Sequence, residues 1–344
     1  MKVFIIGGSG LISTAITRQL VERGDRVTLF NRGQSPLRGP QPAQVIHGDR
    51  NDEASLRAAL TAQRPDAVID MVAFAPAQAE ALLRAADGCT PQVVACSTVC
   101  VYGGPATRLP ITEAEPLRPV GGYGRNKGAI ERLVLGRGGA GQHGTIIRPS
   151  FSTGEGATAS GLVFDDSTVD RLRRGLPVLV MDDGKAAWAI AHVDDVARAF
   201  VGSLGEPRAY GQAYHATSDE HTDWNGVFAA LAQAAGAPAP VLAHVPSDWL
   251  YAQAPRRSVG IEYIYKYPSI FDNAKAARDL GFKTTVPLVE TFRRQIAWME
   301  AQGLLKVAAQ ESVQTELIAA WRERRDVVPG RFVDWNPWGN GTTG

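Results

Sequence analysis

The chain has 344 residues, 44% hydrophobic and 21% charged, the composition of an ordinary globular protein of about two domains. A net charge of +1, with no long run of Lys or Arg, speaks against binding a nucleic-acid backbone or an anionic membrane surface. Three cysteines (Cys89, Cys96, Cys100) are too few for a disulfide scaffold, and no apolar run reaches the roughly 18 residues of a membrane span, so a cytoplasmic location is expected.

Short apolar runs at residues 3–6, 26–30, 44–46, 67–69, 93–95 and 145–147 read as strands. Helical stretches at 11–23, 53–62, 77–86 and 124–135 lie between them. Near-continuous apolar strands alternating with helices predict an α/β fold, a doubly wound parallel sheet of Rossmann type. From about residue 151 the rhythm becomes irregular, although 189–193 followed by 194–204 reads as one more strand–helix unit. Helices over 224–235, 273–280 and 289–302 dominate the rest, and Val313, Leu317 and Trp321 form one apolar stripe of a terminal helix. The expected division is a sheet domain at 1–160 with 185–204, and a smaller, mainly helical domain at 161–184 with 205–344. The second includes a tail with Trp335 and Trp338 but no periodicity.

The first strand runs into Gly7-Gly8-Ser9-Gly10-Leu11-Ile12-Ser13, which interrupts the opening apolar segment too early for a signal peptide. Glycines there permit a tight turn and close approach of a pyrophosphate, while the helix amino terminus offers free N–H groups and a positive dipole end. Gly7, Ser9, Gly10, Leu11 and Ile12 are therefore candidate dinucleotide contacts. The second strand ends in Asn31-Arg32-Gly33, where an acidic residue would hold an unphosphorylated ribose. An amide and a guanidinium instead favour a 2′-phosphate, hence NADP over NAD, with NAD still possible. Asp49 follows the third strand, placed to accept from an adenine amino group or to cap the next helix; Arg50 beside it is counted with the same site.

Tyr123 and Lys127 lie four residues apart, so on a helix their phenol and ammonium share one face with about 5–6 Å between β-carbons. A phenol titrates near ~10 and must fall by roughly three units to exchange protons near pH 7. A neighbouring ammonium and an oxidised nicotinamide ring both act in that direction. Upstream, the fifth strand ends in Cys96-Ser97-Thr98-Val99-Cys100-Val101-Tyr102-Gly103.

Gly7-x-x-Gly10, Asp49, Thr98 with Val101-Tyr102-Gly103, Tyr123-x-x-x-Lys127, Arg148-Pro149 and His192-Val193-Asp194-Asp195-Val196-Ala197 follow one another in this order. The set resembles the extended short-chain dehydrogenase/reductase family, the nucleotide-sugar epimerases and dehydratases. Asp272-Asn273-Ala274-Lys275 and Leu280-Gly281-Phe282 are similar to carboxyl-terminal halves of that family, and Ser13 in place of the third loop glycine departs from it. The resemblance implies that Tyr123 exchanges the proton of a substrate hydroxyl or carbonyl. It also implies that Lys127 binds nicotinamide-ribose hydroxyls and lowers the phenol, and that Thr98 hydrogen-bonds the reacting oxygen. Hydride then passes between substrate carbon and nicotinamide C4. Met71, Val72, Ala73, Pro149 and Ser150, at strand ends, are expected to line the cofactor groove, with Phe74, Phe151 and Ser152 as pocket walls. Trp188 and His192 flank the later strand–helix unit where the family places substrate contacts; core packing and a satisfied structural imidazole are the competing roles. Asp194 and Asp195 are expected to cap the following helix.

Sugar 4,6-dehydratases of the family follow the threonine with Asp-Glu, whereas Val99-Cys100 stand here. A thiol near ~8.5 is a poor substitute for a carboxylate, so dehydration is disfavoured. Asp165-Asp166 and Asp182-Asp183 lack histidines at ligand spacing and read as turn residues, so no metal is expected. The expected protein is an NAD(P)-dependent epimerase or reductase acting on a secondary alcohol or ketone of a sugar-like, possibly nucleotide-linked, substrate. The family implies a homodimer paired through the Tyr123 helix, and neither nucleic acid nor membrane is expected as a partner. A non-catalytic nucleotide- or RNA-binding protein on the same fold is the alternative, because chloroplast RNA-associated relatives look like this chain around Asn31-Arg32-Gly33.

Overall fold

Successive side chains of a strand leave on opposite faces, and β1 (Lys2–Ile6), buried after its first residue, is covered on both. In the computed structural model, which describes residues 1–34, 36–38, 44–137, 141–157, 167–308 and 312–327, Val3 and Ile5 pack with Ala15, Ile16 and Leu20 of α1 (Leu11–Glu22). The chain continues through β2 (Arg26–Asn31), β3 (Gln44–His47), α2 (Glu53–Gln63), β4 (Ala67–Asp70), α3 (Pro76–Ala86), β5 (Gln92–Cys96), α4 (Gly121–Leu135) and β6 (His143–Pro149). Phe4 and Ile6 meet Leu56 and Leu60 of α2 and Leu82 and Leu83 of α3 on the other face. Each such fully buried aliphatic or aromatic side chain contributes about 1.5–3 kcal/mol. Asp52 caps α2 by accepting from the Ser55 N–H at 3.1 Å.

Beyond β6 come β7 (Phe151–Thr153), α5 (Thr168–Arg173), β8 (Val178–Met181), β9 (Ala187–Trp188), β10 (Ile190–His192), α6 (Val193–Ser203) and β11 (Gln212–Ala216). The main sheet has seven parallel strands in the order β11-β6-β5-β4-β1-β2-β3. Its seventh strand is β11, from the part assigned to the helical half by sequence, whereas β10 pairs with β7 outside this sheet. α6 nevertheless packs on α1, with Val196 and Phe200 in the same cluster as Ile5 and Ile16. The register pairs Ile6 with Phe30 and Asp70, and Cys96 with Ile147, so the loops after β1, β2, β4, β5 and β6 emerge along one edge. That edge, at a switch in strand order, is where open α/β sheets bind ligands.

The remaining elements are β12 (Thr222–Asp223), α7 (Trp224–Ala234), β13 (Leu242–Val245), α8 (Ser247–Gln253), α9 (Ala274–Leu280), α10 (Leu288–Ala301) and α11 (Val313–Glu323). α9 packs with α6 and the main sheet through Ala276 and Leu280, and the others gather at a second core of Trp188, Trp224, Phe228, Leu231, Phe292, Ile296 and Leu317 around the parallel pair β8–β13. On α11 the buried stripe centres on Leu317 and Ile318, with Val313 and Trp321 at its margin. Among the described residues no helix is long and apolar enough to cross a membrane. Trp335 and Trp338 lie outside the described residues, as do Asp165 and Asp166.

Candidate active site

β1 ends at Ile6 and the chain turns through Gly7 (φ 108°) and Gly8 (φ 92°), conformations open to glycine and strained for other residues. A Cβ on Gly8 would sit 2.8 Å from Leu29 Cδ2, and one on Gly7 3.1 Å from Val72 Cγ1, so backbone is held where side chains cannot go. Gly10 is the amino-terminal cap of α1 and has no side chain to occupy the first-turn N–H groups. Ser13, which departs from the glycine pattern, accepts from the Gly10 N–H at 2.9 Å through its buried hydroxyl and thereby locks the loop. Ser9, Leu11 and Ile12 continue the same turn into the helix. A glycine turn that opens a helix amino terminus, with its positive dipole end, fits a dinucleotide pyrophosphate.

At the end of β2, Asn31 Oδ1 accepts from the Gly33 N–H at 2.9 Å, while its buried Nδ2 has no partner among the described residues. Arg32 beside it is exposed. Asp49 is exposed and accepts from Asn51; the capping role belongs to Asp52. Arg50, counted by sequence with the cofactor site, is tied into the protein itself. Its Nη1 is 2.9 Å from both Asp70 oxygens and its Nη2 donates to the Gln78 carbonyl at 2.6 Å, which makes it a buried brace between β4 and α3. Asp70 in turn accepts from the Val72 N–H at 3.0 Å and so shapes the Met71-Val72-Ala73 turn.

Thr98, Tyr123 and Lys127 meet at the carboxyl edge of the sheet. Thr98 caps the one-turn 3-10 helix Val99–Val101 by accepting from the Cys100 N–H at 3.2 Å, and its side chain hydrogen-bonds Tyr123. Lys127 is almost fully buried; its Nζ donates to the carbonyls of Ala73 and Cys96 at 2.8 Å each. The same ammonium lies 4.8 Å from the Phe74 ring centroid and 5.9 Å from that of Tyr123. Burial pushes the Tyr123 pKa well above its ordinary value, with Cys100 and Cys96 adding to the rise and the Thr98 hydrogen bond opposing it. Burial likewise pushes Lys127 down. The expectation that the ammonium depresses the phenol is thus reversed: desolvation outweighs a cation whose hydrogen bonds go to carbonyls. Cys100 is buried and its thiol is pushed up to about 11 by burial, an unreactive side chain at neutral pH.

Pro149 closes β6, and the buried Ser150 hydroxyl next to it has no partner among the described residues. Ser152 Oγ donates to the Ser150 carbonyl at 3.0 Å, and the Phe151 ring packs 6.2 Å from that of Tyr265. Trp188 is a core residue, 1% exposed and stacked on Trp224 at 5.9 Å. His192 is also buried. Its Nδ1 accepts from the Asp194 N–H at 3.1 Å, capping α6, and its Nε2 lies 3.0 Å from Glu155 Oε2. The two aspartates expected to cap that helix do other work: Asp194 pairs with Arg18, and Asp195 binds Arg198, Thr285 and Val286. Asp182 accepts from Ser247 N–H and Asp183 from Lys185 N–H, as turn residues do, and the described residues contain no metal-binding cluster.

Sequence reasoning missed the π-helix Ile261–Tyr265, whose Tyr265 lies near Cys100 and Tyr123 and whose Tyr263 fills the space a side chain at Gly121 would need. Neither tyrosine sits in a recognisable pattern. Buried Arg50–Asp70 and Arg148–Glu131 pairs were missed too, although a charge inside an apolar strand is itself a signal.

The NAD dependent epimerase/dehydratase family model matches residues 3–216. The chain is 30% identical to 2′-dehydrokanamycin reductase of Streptomyces kanamyceticus over 255 residues, 74% of this chain and 72% of the relative. It is 28% identical to the chloroplast stem-loop binding protein of 41 kDa b of Arabidopsis thaliana over 303 residues, 84% and 76% of the two chains. Among solved structures, UDP-glucose 4-epimerase with UDP-glucose from Thermotoga maritima superposes with a TM-score of 0.72 at 21% identity, over 88% of this chain and 99% of that one, a likeness of fold. With its glycine cradle and its Thr98–Tyr123–Lys127 cluster, the chain belongs to the NAD-dependent epimerase/dehydratase family of extended short-chain dehydrogenase/reductase enzymes.

Proposed function

We propose that this enzyme is an NADPH-dependent reductase of a ketone on a sugar-like substrate. One observation carries the reading: the Tyr123 phenol, hydrogen-bonded to Thr98 and with the buried Lys127 ammonium 5.9 Å from its ring centroid, is a proton donor at the carboxyl edge of the sheet, as reduction of a carbonyl requires. A bound nicotinamide would supply the hydride. Thr98 orients the carbonyl oxygen, and Tyr123 delivers its proton as that oxygen becomes an alkoxide. Lys127, fixed by the Ala73 and Cys96 carbonyls, has one donor left for ribose hydroxyls and holds positive charge beside the phenolate that forms. The unpartnered Asn31 amide and the exposed Arg32 support a 2′-phosphate, hence the preference for NADP. The 2′-dehydrokanamycin reductase likeness supports reduction of a sugar-like ketone.

An epimerase with retained cofactor is the second reading, and one feature favours it. The segment after β7 lies against Leu11, at the start of α1, and is held by Glu155 to His192, by Arg38 Nη1 to the Gly156 carbonyl at 2.9 Å, and by Gln295 to the Ala157 carbonyl at 3.4 Å. Such pinning slows cofactor exchange. Net oxidation of NADPH with keto-sugars supports the reductase, and turnover without net nicotinamide change supports the epimerase. Tyr123→Phe is expected to lower the rate by roughly 10²–10⁴-fold with cofactor still bound. Unchanged turnover in that variant would overturn the catalytic reading and favour a binding protein.

A further inference from the structure

Behind the proposed site runs a chain of buried polar groups that none of the steps above uses. Glu131, on the helix that carries Tyr123 and Lys127, accepts from Ser97 Oγ at 2.5 Å and from Arg148 Nε and Nη2 at 2.9 and 2.6 Å. Arg148 Nη1 donates to the Tyr102 hydroxyl at 2.6 Å, and that hydroxyl lies 2.6 Å from His215 Nε2. His215 Nδ1 is 2.9 Å from the Asp272 carbonyl, and its backbone N–H donates to Glu113 Oε1 at 2.9 Å. Ser97, Tyr102, Glu131, Arg148 and His215 are each no more than 5% exposed.

A carbonyl only accepts, so His215 Nδ1 carries its N–H toward Asp272, and burial favours the neutral ring, which leaves Nε2 to accept from the Tyr102 hydroxyl while that oxygen accepts from Arg148. A buried ion pair is poor evidence for stability, since apolar residues of equal volume often do as well. What a fully satisfied polar chain provides is a single geometry.

Both ends of that geometry bear on the chemistry. Tyr102 directly follows the one-turn helix that Thr98 caps, and Ser97 directly precedes Thr98. Glu131 stands one turn beyond Lys127 and two beyond Tyr123 on α4. We infer that Tyr102 is a positioning residue: its hydroxyl, bridging Arg148–Glu131 to His215, holds the Thr98 turn in register with the α4 face that bears Tyr123 and Lys127. The inference rests on the proposed function for its catalytic meaning, but not for its structural content.

Tyr102→Phe removes one oxygen and keeps the ring. Tyr214→Phe is the matched control, because its buried hydroxyl donates to the Arg208 carbonyl at 2.8 Å and lies outside the chain. Three readouts are compared in the full-length protein. The first is ¹⁵N spectroscopy of the His215 imidazole, in which Nε2 is unprotonated in the wild type and shifts on losing Tyr102. The second is amide exchange, expected to rise roughly tenfold in both 97–103 and 121–131 for Tyr102→Phe alone. The third is NADPH affinity by fluorescence, expected to weaken roughly three- to tenfold in Tyr102→Phe and not in the control. If Tyr102→Phe does not fold, His215→Leu removes the acceptor of the Tyr102 hydroxyl and is put through the exchange and affinity comparisons. Equal exchange and affinity in the test and control variants would overturn the inference, as would an unperturbed His215 signal in Tyr102→Phe. Failure of the wild type to bind NADPH or NADH would instead overturn the proposed function, while imidazole and exchange data still decide the role of Tyr102.

Discussion

Asn31→Asp changes charge at the ribose end of the cofactor site with almost no change of shape. Oδ1 keeps the Gly33 N–H that it accepts at 2.9 Å, and the unpartnered Nδ2 becomes a carboxylate oxygen. A carboxylate about 5 Å from a 2′-phosphate of charge about −2 is repelled by about 1.7 kcal/mol even at the dielectric constant of water. The ribose hydroxyls of NADH gain a charged acceptor in exchange, worth about 1.5–3 kcal/mol. The two effects together move the NADPH-to-NADH affinity ratio by about 3–5 kcal/mol, or roughly two to three and a half powers of ten. Fluorescence titration of both reduced nicotinamides against wild type and variant measures that ratio directly. A variant that loses both cofactors alike, or a wild type that already prefers NADH, refutes the assignment of Asn31 and Arg32 to a 2′-phosphate.

Gly8→Ala combines a φ of 92° with a Cβ 2.8 Å from Leu29, so chemical denaturation is expected to show a loss of about 1–3 kcal/mol, along with weaker nicotinamide binding. Arg50→Met leaves Asp70, 1% exposed, as an unpaired charge and is expected to cost about 3–5 kcal/mol; a lost cofactor affinity without that instability would restore Arg50 to the binding site. Burial lowers the His215 pKa against the raising influence of Glu113 and the Asp272 carbonyl, with Arg148 also lowering it and the Tyr102 hydroxyl in contact. The unfolded chain therefore takes up this proton first. Its contribution is complete above about pH 6.5 and is lost as pH falls through the depressed native value, with a slope of up to about 1.4 kcal/mol per pH unit. Urea midpoints measured from pH 7.5 to 5 are expected to fall less steeply in His215→Gln, and identical slopes would refute the buried neutral imidazole.

Local order in the chain was enough for what depends on neighbours in sequence. Alternating apolar runs such as 67–69 and 93–95 became β4 and β5 of a parallel sheet, and the glycine loop after β1 opened α1, because strand burial, tight turns and helix starts are short-range properties. The four-residue spacing put Tyr123 and Lys127 on one face of α4 for the same reason. Only the tertiary structure decided the rest. β11, a short run with a histidine and a tyrosine, joined the sheet because Tyr214 and His215 found partners in Asp279 and Tyr102 that no local pattern announces. His192 took the capping role because Asp194 and Asp195 were drawn to Arg18 and to Thr285. Most telling is the sign of the Tyr123 shift. A helix turn supplies the ammonium, but burial raises the proton affinity, with Cys100, Cys96 and Tyr265 from two other segments adding to the rise, since burial is a sum over everything that surrounds a group in space.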